Sequence, residues 1–106
     1  MSRKAAVLIG FALAISTVTH ALGSSSAGVE IKEFRFTPAV LQIRAGTSVT
    51  WTNHDEETHT ITSATGAFGS NGLGHDERFT QTFSRAGTYA YFCALHPRMR
   101  ATVIVK

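Results

Sequence analysis

The chain of 106 residues is long enough for one compact domain with a short preceding segment, and too short for a multidomain enzyme. It contains one cysteine and two methionines, one of them the initiator, and its formal net charge is +3. A single thiol cannot form an internal disulfide or supply the paired cysteines of a zinc ribbon. The composition therefore excludes both a disulfide scaffold and a ribbon-type zinc domain.

The N-terminal segment has the three-part layout of a secretory signal peptide. Ser2-Arg3-Lys4 is a short basic region, residues 5–18 carry no charge, and residues 19–27 are small or polar. The apolar run is shorter than the ~20 residues that a membrane-spanning helix needs, and an uncleaved anchor is the less favoured interpretation. We therefore predict that the protein is exported to the periplasm or secreted.

Cleavage after Ala21 or after Ala27 fits the small residues at both places. We favour Ala27 because strand-like sequence starts just after it, which predicts a mature domain of residues 28–106. That domain has eight Lys and Arg side chains and seven Asp and Glu side chains, a net charge of +1. No basic stripe interleaved with aromatic residues is present, so nucleic-acid binding is not supported. Export would also place Cys93 in an oxidising compartment, where an unpaired thiol needs burial or a bound partner.

Segments that alternate apolar and polar residues recur through residues 28–106, and none keeps a helical period over ten or more positions. Turn-forming Pro and Gly residues separate these segments. Seven short strands suit two packed layers, so the predicted fold class is an all-β, two-sheet Greek-key sandwich. The predicted strands are Val29–Phe36, Val40–Arg44, Ser48–Asn53, His59–Ser63, Arg78–Phe83, Thr88–Cys93 and Ala101–Lys106.

Alternation within two of these strands predicts which side chains share a face. Val49, Trp51 and Asn53 share one side of their strand. Cys93 shares a side with Tyr89 and Tyr91 and is expected to point into the core.

The end of the sixth predicted strand concentrates the chemistry. Cys93, His96 and Met99 place a thiol, an imidazole and a thioether at positions i, i+3 and i+6. Taken singly, a buried Cys is usually a small hydrophobe and a lone Met is usually core filler. Together with a second histidine they would form a copper site, since sulfur suits Cu(I) and imidazole suits either oxidation state. The joint spacing favours the metal site.

Three histidines could supply the second imidazole. His59 opens a strand-like segment 34 residues before Cys93, so tertiary folding would bring it to the thiol. His54 stands beside the acidic residues 55–57, which are typical of a solvated loop. His75 follows the glycine-rich loop and is expected to be exposed. We therefore favour His59.

The chain resembles the cupredoxins, small blue copper proteins, and most closely the amicyanin and plastocyanin group. Two residues between Cys93 and His96, and two between His96 and Met99, make the short ligand loop that is typical of amicyanins. The resemblance extends over Phe36-Thr-Pro38, Gly46, Val49-Thr-Trp51-Thr-Asn53, His59, Phe83-Ser, Gly87-Thr-Tyr89-Ala-Tyr91-Phe-Cys93, His96-Pro97 and Met99.

The resemblance implies one copper ion per chain, bound by His59, Cys93, His96 and an axial Met99. It also implies that Asn53 ties the two ligand-bearing segments together, with an ordinary strand-end cap as the alternative. The amide of Thr60 would be placed to donate to the Cys93 sulfur and to tune the site.

The family resemblance implies single-electron transfer by Cu(I)/Cu(II) cycling, and not enzymatic turnover. Four protein ligands leave no open position for a substrate, and no nucleophile motif competes. In this family electrons pass through the exposed edge of the loop histidine, here His96 within an apolar patch of Ala94, Leu95 and Pro97. A periplasmic copper carrier or storage protein with the same site is the alternative function.

Arg98 and Arg100 flank the predicted electron exit. Arg98 stands where amicyanins tend to have a bulky apolar residue, so the amicyanin partner is not inferred. The two arginines instead predict transient docking on an acidic redox protein, such as a c-type cytochrome or a periplasmic dehydrogenase. We expect the protein to act as a monomer.

Overall fold

The structure is a computed structural model that describes residues 25–106, and these residues form eight strands and no helix. Residues 1–24, which are most of the predicted signal peptide, lie outside the described residues. Within residues 25–106 there is no helix that could span a membrane. The strands are β1 (Ser26–Lys32), β2 (Arg35–Thr37), β3 (Val40–Ile43), β4 (Thr47–Asn53), β5 (Thr62–Ser63), β6 (Arg78–Phe83), β7 (Gly87–Cys93) and β8 (His96–Val105).

The strands form two four-stranded sheets, with the orders β2-β1-β4-β6 and β3-β8-β7-β5. One pair in each sheet is parallel, β1 with β4 and β3 with β8, and the other pairs are antiparallel. From β2 to β7 every connection passes from one sheet to the other, so each sheet is built from strands that are distant in sequence. The predicted all-β, two-sheet Greek-key sandwich is confirmed.

The inward direction predicted for Cys93 is confirmed, and the side shared by Val49, Trp51 and Asn53 proves to be the buried one. Val49, Trp51 and Asn53 on β4 and Cys93 on β7 have no exposed surface. Trp51 reaches across the core to Tyr91, with ring centroids 5.4 Å apart and nearly perpendicular planes. Burial raises the pKa of Tyr91 to about 12, so this phenol stays neutral in the core. The aromatic contact packs the sheet that contains Asn53 against the sheet that contains Cys93.

The first predicted strand is divided in the structure. It begins earlier than expected, at Ser26, and a tight turn at Glu33 and Phe34 separates β1 from β2. Both turn residues have positive φ angles, 55° and 59°. The sequence pattern did not reveal this turn because neither residue is the Gly, Asn or Asp that usually occupies such positions.

Two other predicted strands have different bounds. The His59–Ser63 strand is reduced to β5, because His59 pairs as an isolated bridge with Leu73 in the glycine-rich segment. The last predicted strand, Ala101–Lys106, already begins at His96, because β7 and β8 remain paired up to the Cys93 and His96 positions. The other four predicted strands agree with the structure to within one residue at each end.

Strand β1 begins at Ser26, before the favoured cleavage position after Ala27. Ser26 and Ala27 pair in parallel with Ser48 and Val49 of β4. The amide of Ser48 donates to the carbonyl of Ser25 at 3.0 Å. Residues 25–27 therefore contribute to the sheet, although the sequence pattern assigned them to the export segment.

We expect a chain that begins at Gly28 to be less stable than a chain that begins at Ser25. It loses one or two backbone hydrogen bonds of β4, which corresponds to about 1–2 kcal/mol of unfolding free energy. Urea denaturation of the two purified chains measures the difference, and the dependence on urea concentration should be nearly the same in both. Equal unfolding free energies would show that residues 25–27 do not contribute to the stability of the domain.

Candidate metal centre

His59 lies between β4 and β5, on a segment held by the glycine-rich loop. Its amide donates to the carbonyl of Leu73 at 3.1 Å, and its carbonyl accepts the amide of Leu73 at 2.7 Å. These two bonds fix the backbone of His59 although it is not part of a regular strand. The imidazole has no exposed surface, so its position is set by packing on all sides.

Cys93 and His96 close the hairpin between β7 and β8. They face each other at its tip, where the pairing register shifts between Phe92 and Cys93. Cys93 is fully buried and His96 is half-buried. Met99 follows on β8 and is buried as well. The tip of the hairpin and the start of β8 therefore supply a thiol, an imidazole and a thioether within residues 93–99.

The structure brings three of the predicted donor residues together. The Cys93 sulfur lies 3.7 Å from Nδ1 of His59 and 3.8 Å from Nδ1 of His96. The three donor atoms lie within 4.8 Å of one another. Within residues 25–106 this is the one group of three or more His, Cys, Asp and Glu side chains that could share an ion.

These separations fit a metal ion among the three donors. An ion about 2.0–2.1 Å from each nitrogen and about 2.3 Å from sulfur, with near-trigonal angles, sets the sulfur and nitrogen atoms about 3.6–3.8 Å apart. Two imidazoles with one thiolate and a nearby thioether are the donors that suit copper in both oxidation states. Hard oxygen donors, which Mg²⁺ and Ca²⁺ prefer, do not belong to the group.

Asp55 orients the His59 ring from the side opposite Cys93. Its Oδ2 lies 2.9 Å from Nε2 of His59. Since Nδ1 faces the sulfur, Nε2 carries the proton and donates to the carboxylate. This carboxylate–histidine arrangement sets the tautomer and the orientation of a ligand imidazole.

The same carboxylate accepts two backbone amides. Glu33 N–H donates to Oδ1 at 2.7 Å, and Phe34 N–H donates to Oδ2 at 2.9 Å. Burial would raise the pKa of Asp55, but the amides of Phe34 and Glu33, with a smaller effect of His59, lower it below its usual value. Asp55 is therefore charged where it meets His59.

Sequence reasoning missed Asp55 because it lies in an acidic run that is typical of a solvated loop. The side chain is in fact only 12% exposed. Its spacing of four residues from His59 is the signal that could have identified it. The next two acidic residues, Glu56 and Glu57, are exposed as expected.

Thr60 connects the two segments that bear the donors. Its amide donates to the Cys93 sulfur at 3.3 Å, which confirms the contact predicted for it. Its Oγ1 accepts the amide of Ala94 at 2.8 Å. The residue next to His59 is thus bonded to Cys93 and to the residue after it.

The prediction that Asn53 ties the two ligand-bearing segments together was wrong. Its Nδ2 donates to the carbonyls of Glu57 and Leu73, both at 2.8 Å, and its Oδ1 accepts the amide of Asp55 at 2.9 Å. All of these groups belong to the segments around His59, and none belongs to the Cys93 hairpin. Asn53 therefore braces the His59 side alone, while Thr60 makes the connection across the site.

The two competing histidines lie outside the group that contains the thiol. His54 is exposed and contacts the carboxylate of Glu30. His75 is also exposed and lies near Glu56 and Asp76. Neither is part of the three-residue group, so the preference for His59 over these two agrees with the geometry.

Phe34 was not singled out in the sequence, yet it contacts the site directly. Its ring packs at right angles to the imidazoles of His59 and His96, with centroids 5.0 and 4.9 Å away. The ring remains 42% exposed. It therefore lies on the outer side of the two histidines.

Comparisons with known proteins agree with this fold and donor set. A family model described as a cupredoxin-like domain matches residues 5–105. The amicyanin of Paracoccus denitrificans is 31% identical over 83 residues, which are 74% of this chain and 63% of that protein. The plastocyanin of Scenedesmus fuscus is 30% identical over 102 residues, which are 84% of this chain and 99% of that protein.

A solved structure gives the same result. A novel purple cupredoxin from Nitrosopumilus maritimus superposes with a TM-score of 0.71 at 33% identity, and the match covers 76% of this chain and 99% of that one. The chain belongs to the cupredoxin-like family. Copper is the cofactor that the family and the donor set both indicate. The chain spans slightly less than two thirds of the length of the amicyanin it matches.

Replacing Thr60 with Val should loosen the tip of the hairpin. The substitution keeps the shape of the side chain but leaves the Ala94 amide without its acceptor, a loss of about 0.5–1.5 kcal/mol. We expect faster hydrogen exchange of the Ala94 amide in the metal-free protein, measured by NMR. Thr60→Ser keeps the hydroxyl and serves as the matched control. If both variants exchange at the wild-type rate, the hydroxyl does not hold the hairpin.

Proposed function

We propose that this protein is a small exported electron carrier whose single copper ion is bound by His59, Cys93, His96 and Met99. The observation that supports this most directly is the convergence of a thiol and two imidazole nitrogens within 4.8 Å in a largely buried site. When bound, copper would supply one-electron chemistry by alternating between Cu(I) and Cu(II).

The surrounding residues suit a site whose geometry changes little when an electron moves. His59 is oriented by Asp55, and the Cys93 sulfur accepts the Thr60 amide. A donor to sulfur withdraws charge from the thiolate and so tunes the potential. Four protein donors would fill the coordination sphere, which favours electron transfer over binding and turnover of a substrate.

The site opens toward an apolar surface at the hairpin tip. Ala94, Leu95 and Pro97 are exposed around the half-buried His96. Leu95 is 56% exposed, and together with Ala94 and Pro97 it forms an apolar surface around His96 that suits docking of a partner. His96 is thus the donor nearest to an incoming partner, and its ring provides the route for the electron.

Three arginines border this surface. Arg98 and Arg100 were expected from the sequence, and Arg35 of β2 joins them around a shallow cavity of about 160 Å³ beside Phe34. None of the three forms an ion pair with a carboxylate among residues 25–106. Their charges are therefore available to an acidic partner.

The proposed partners are redox proteins with acidic docking surfaces, such as a c-type cytochrome or a periplasmic dehydrogenase. Such encounters are brief, and charges at the rim mainly increase the association rate. We propose that the protein acts as a monomer in the periplasm or outside the cell. The signal peptide of residues 1–27 and the mature domain of residues 28–106 remain part of this proposal, and the mass of the exported protein tests the boundary.

Adding Cu(II) to the purified mature protein should give an intense visible thiolate-to-copper band at one copper ion per chain. His59→Ala should lose most of this band, because it removes an imidazole that lies 3.7 Å from the Cys93 sulfur. His75→Ala removes an exposed histidine and is the matched control, with an unchanged spectrum expected. The absence of the band in the wild-type protein would refute the proposed site.

Reversible oxidation and reduction separates an electron carrier from the alternative, a copper carrier or storage protein. We expect repeated Cu(I)/Cu(II) cycles by voltammetry without loss of metal. A protein that holds Cu(I) alone and releases copper on oxidation would instead favour storage or delivery.

Reversing the charge of Arg98 should slow electron exchange with an acidic redox partner. We expect a lower second-order rate constant for Arg98→Glu at low salt, and rates that converge with those of the wild-type protein as salt screens the charges. Stopped-flow mixing with an acidic c-type cytochrome measures both. Arg44→Glu, on an exposed residue after β3, is the control, and an equal effect at both positions would argue against a local docking rim.

A further inference from the structure

Phe34 has a position that electron transfer by the proposed ligands does not by itself explain. Its ring stands perpendicular to the imidazoles of His59 and His96, with interplanar angles of 85° and 89°. The two imidazoles are 5.1 Å apart. The three rings thus form a triangle with nearly equal sides, and the Cys93 sulfur lies close to both histidines.

The ring lies between this histidine pair and solvent. His59 has no exposed surface, whereas Phe34 is 42% exposed. An aromatic ring that remains this exposed gains only part of the stabilisation of core burial. Its contacts with the imidazoles are edge-to-face, which is a favourable geometry for aromatic pairs.

The backbone of Phe34 is in a conformation that a phenylalanine rarely adopts. The φ angles of Glu33 and Phe34 are 55° and 59°, and hairpin turns of this kind strongly favour Asn and Gly. A bulky residue held in the left-handed region is strained, and such strain is concentrated at functional sites. An aromatic residue therefore occupies a position whose backbone conformation favours Asn or Gly.

Asp55 holds the turn in this conformation. One carboxylate accepts the amides of Glu33 and Phe34 and also the Nε2 proton of His59. The residue that carries the ring and the histidine beneath it are therefore bonded to the same group. These bonds fix the backbone from which the Phe34 ring reaches the two histidines.

We propose that Phe34 is a lid that shields the copper site from water and small anions on the histidine side, with Asp55 as its positioning residue. This inference rests on the proposed copper ligands. A copper ion covered in this way keeps its protein donors and does not gain an exogenous ligand, which is the closed coordination of a site without a substrate. The chemical class excluded is a small anion that could bind Cu(II).

The first test uses the metal-free protein and the reactivity of Cys93 with a soluble thiol reagent. Phe34→Gly removes the ring and suits the positive φ, so the fold should be retained or stabilised. We expect Cys93 to react several-fold faster in this variant. Glu33→Gly relaxes the same turn but keeps the ring, and should react at the wild-type rate. Equal rates in Phe34→Gly and the wild-type protein would overturn the lid.

The second test titrates the Cu(II) proteins with azide and follows the visible spectrum. The wild-type and Glu33→Gly proteins should show no change, and Phe34→Gly should develop an azide-to-copper band. Asp55→Asn, which weakens the hold on the turn, should show weaker azide binding than Phe34→Gly. Phe34→Leu keeps an apolar cover and should remain closed. Azide binding that is equally weak in all of these proteins would overturn the proposal.

The two tests separate failure of the lid from failure of the proposed function. If the wild-type protein gives no thiolate-to-copper band, the proposed site fails, and the thiol-reactivity comparison still decides whether Phe34 covers Cys93. If the band forms but Phe34→Gly neither binds azide nor exposes Cys93, the copper site stands and the lid is rejected.

Discussion

The carboxylate of Asp55 joins the proposed ligand, the backbone and the aromatic cover of the site. It accepts the Nε2 proton of His59 and the amides of Glu33 and Phe34, and these groups come from segments more than twenty residues apart. Without this acceptor the two amides would lose their hydrogen bonds to a charged group. Such hydrogen bonds are among the stronger ones in proteins. The imidazole would also lose the contact that keeps Nδ1 directed at Cys93. The direction of Nδ1, the atom of His59 that faces the proposed metal site, thus depends on a residue that contacts Nε2 on the other side of the ring.

The thiol side is held by different contacts, and Thr60 links the two halves. It donates to the Cys93 sulfur and accepts the Ala94 amide, so the segment of His59 and the hairpin of Cys93 are joined next to the donors themselves. A domain of this size buries a limited fraction of its surface. A copper ion shared by the two segments would add to the stability of the folded state because it binds more tightly there than to the unfolded chain.

The distribution of charge around the site is a property of the fold and not of the composition. Arg35 comes from β2 and Arg98 and Arg100 come from β8, yet all three line one shallow cavity beside Phe34. The strands belong to different sheets, so the cationic rim forms where the sandwich brings the edges of its sheets together. A net charge of +1 for residues 28–106 gives no indication of this local concentration.

The sequence by itself determined the fold class, most of the strands and the donors on the β7–β8 hairpin, because these depend on local alternation and on spacing within one loop. It also favoured His59 through a strand-like segment, although that residue in fact pairs with Leu73. Only the tertiary structure decided how His59 is oriented, because Asp55 resembles its solvated neighbours in sequence. It also decided that Phe34 packs against both histidines and that Thr60, not Asn53, joins the ligand segments. These contacts arise between segments distant in the chain, where no local pattern records which groups will meet.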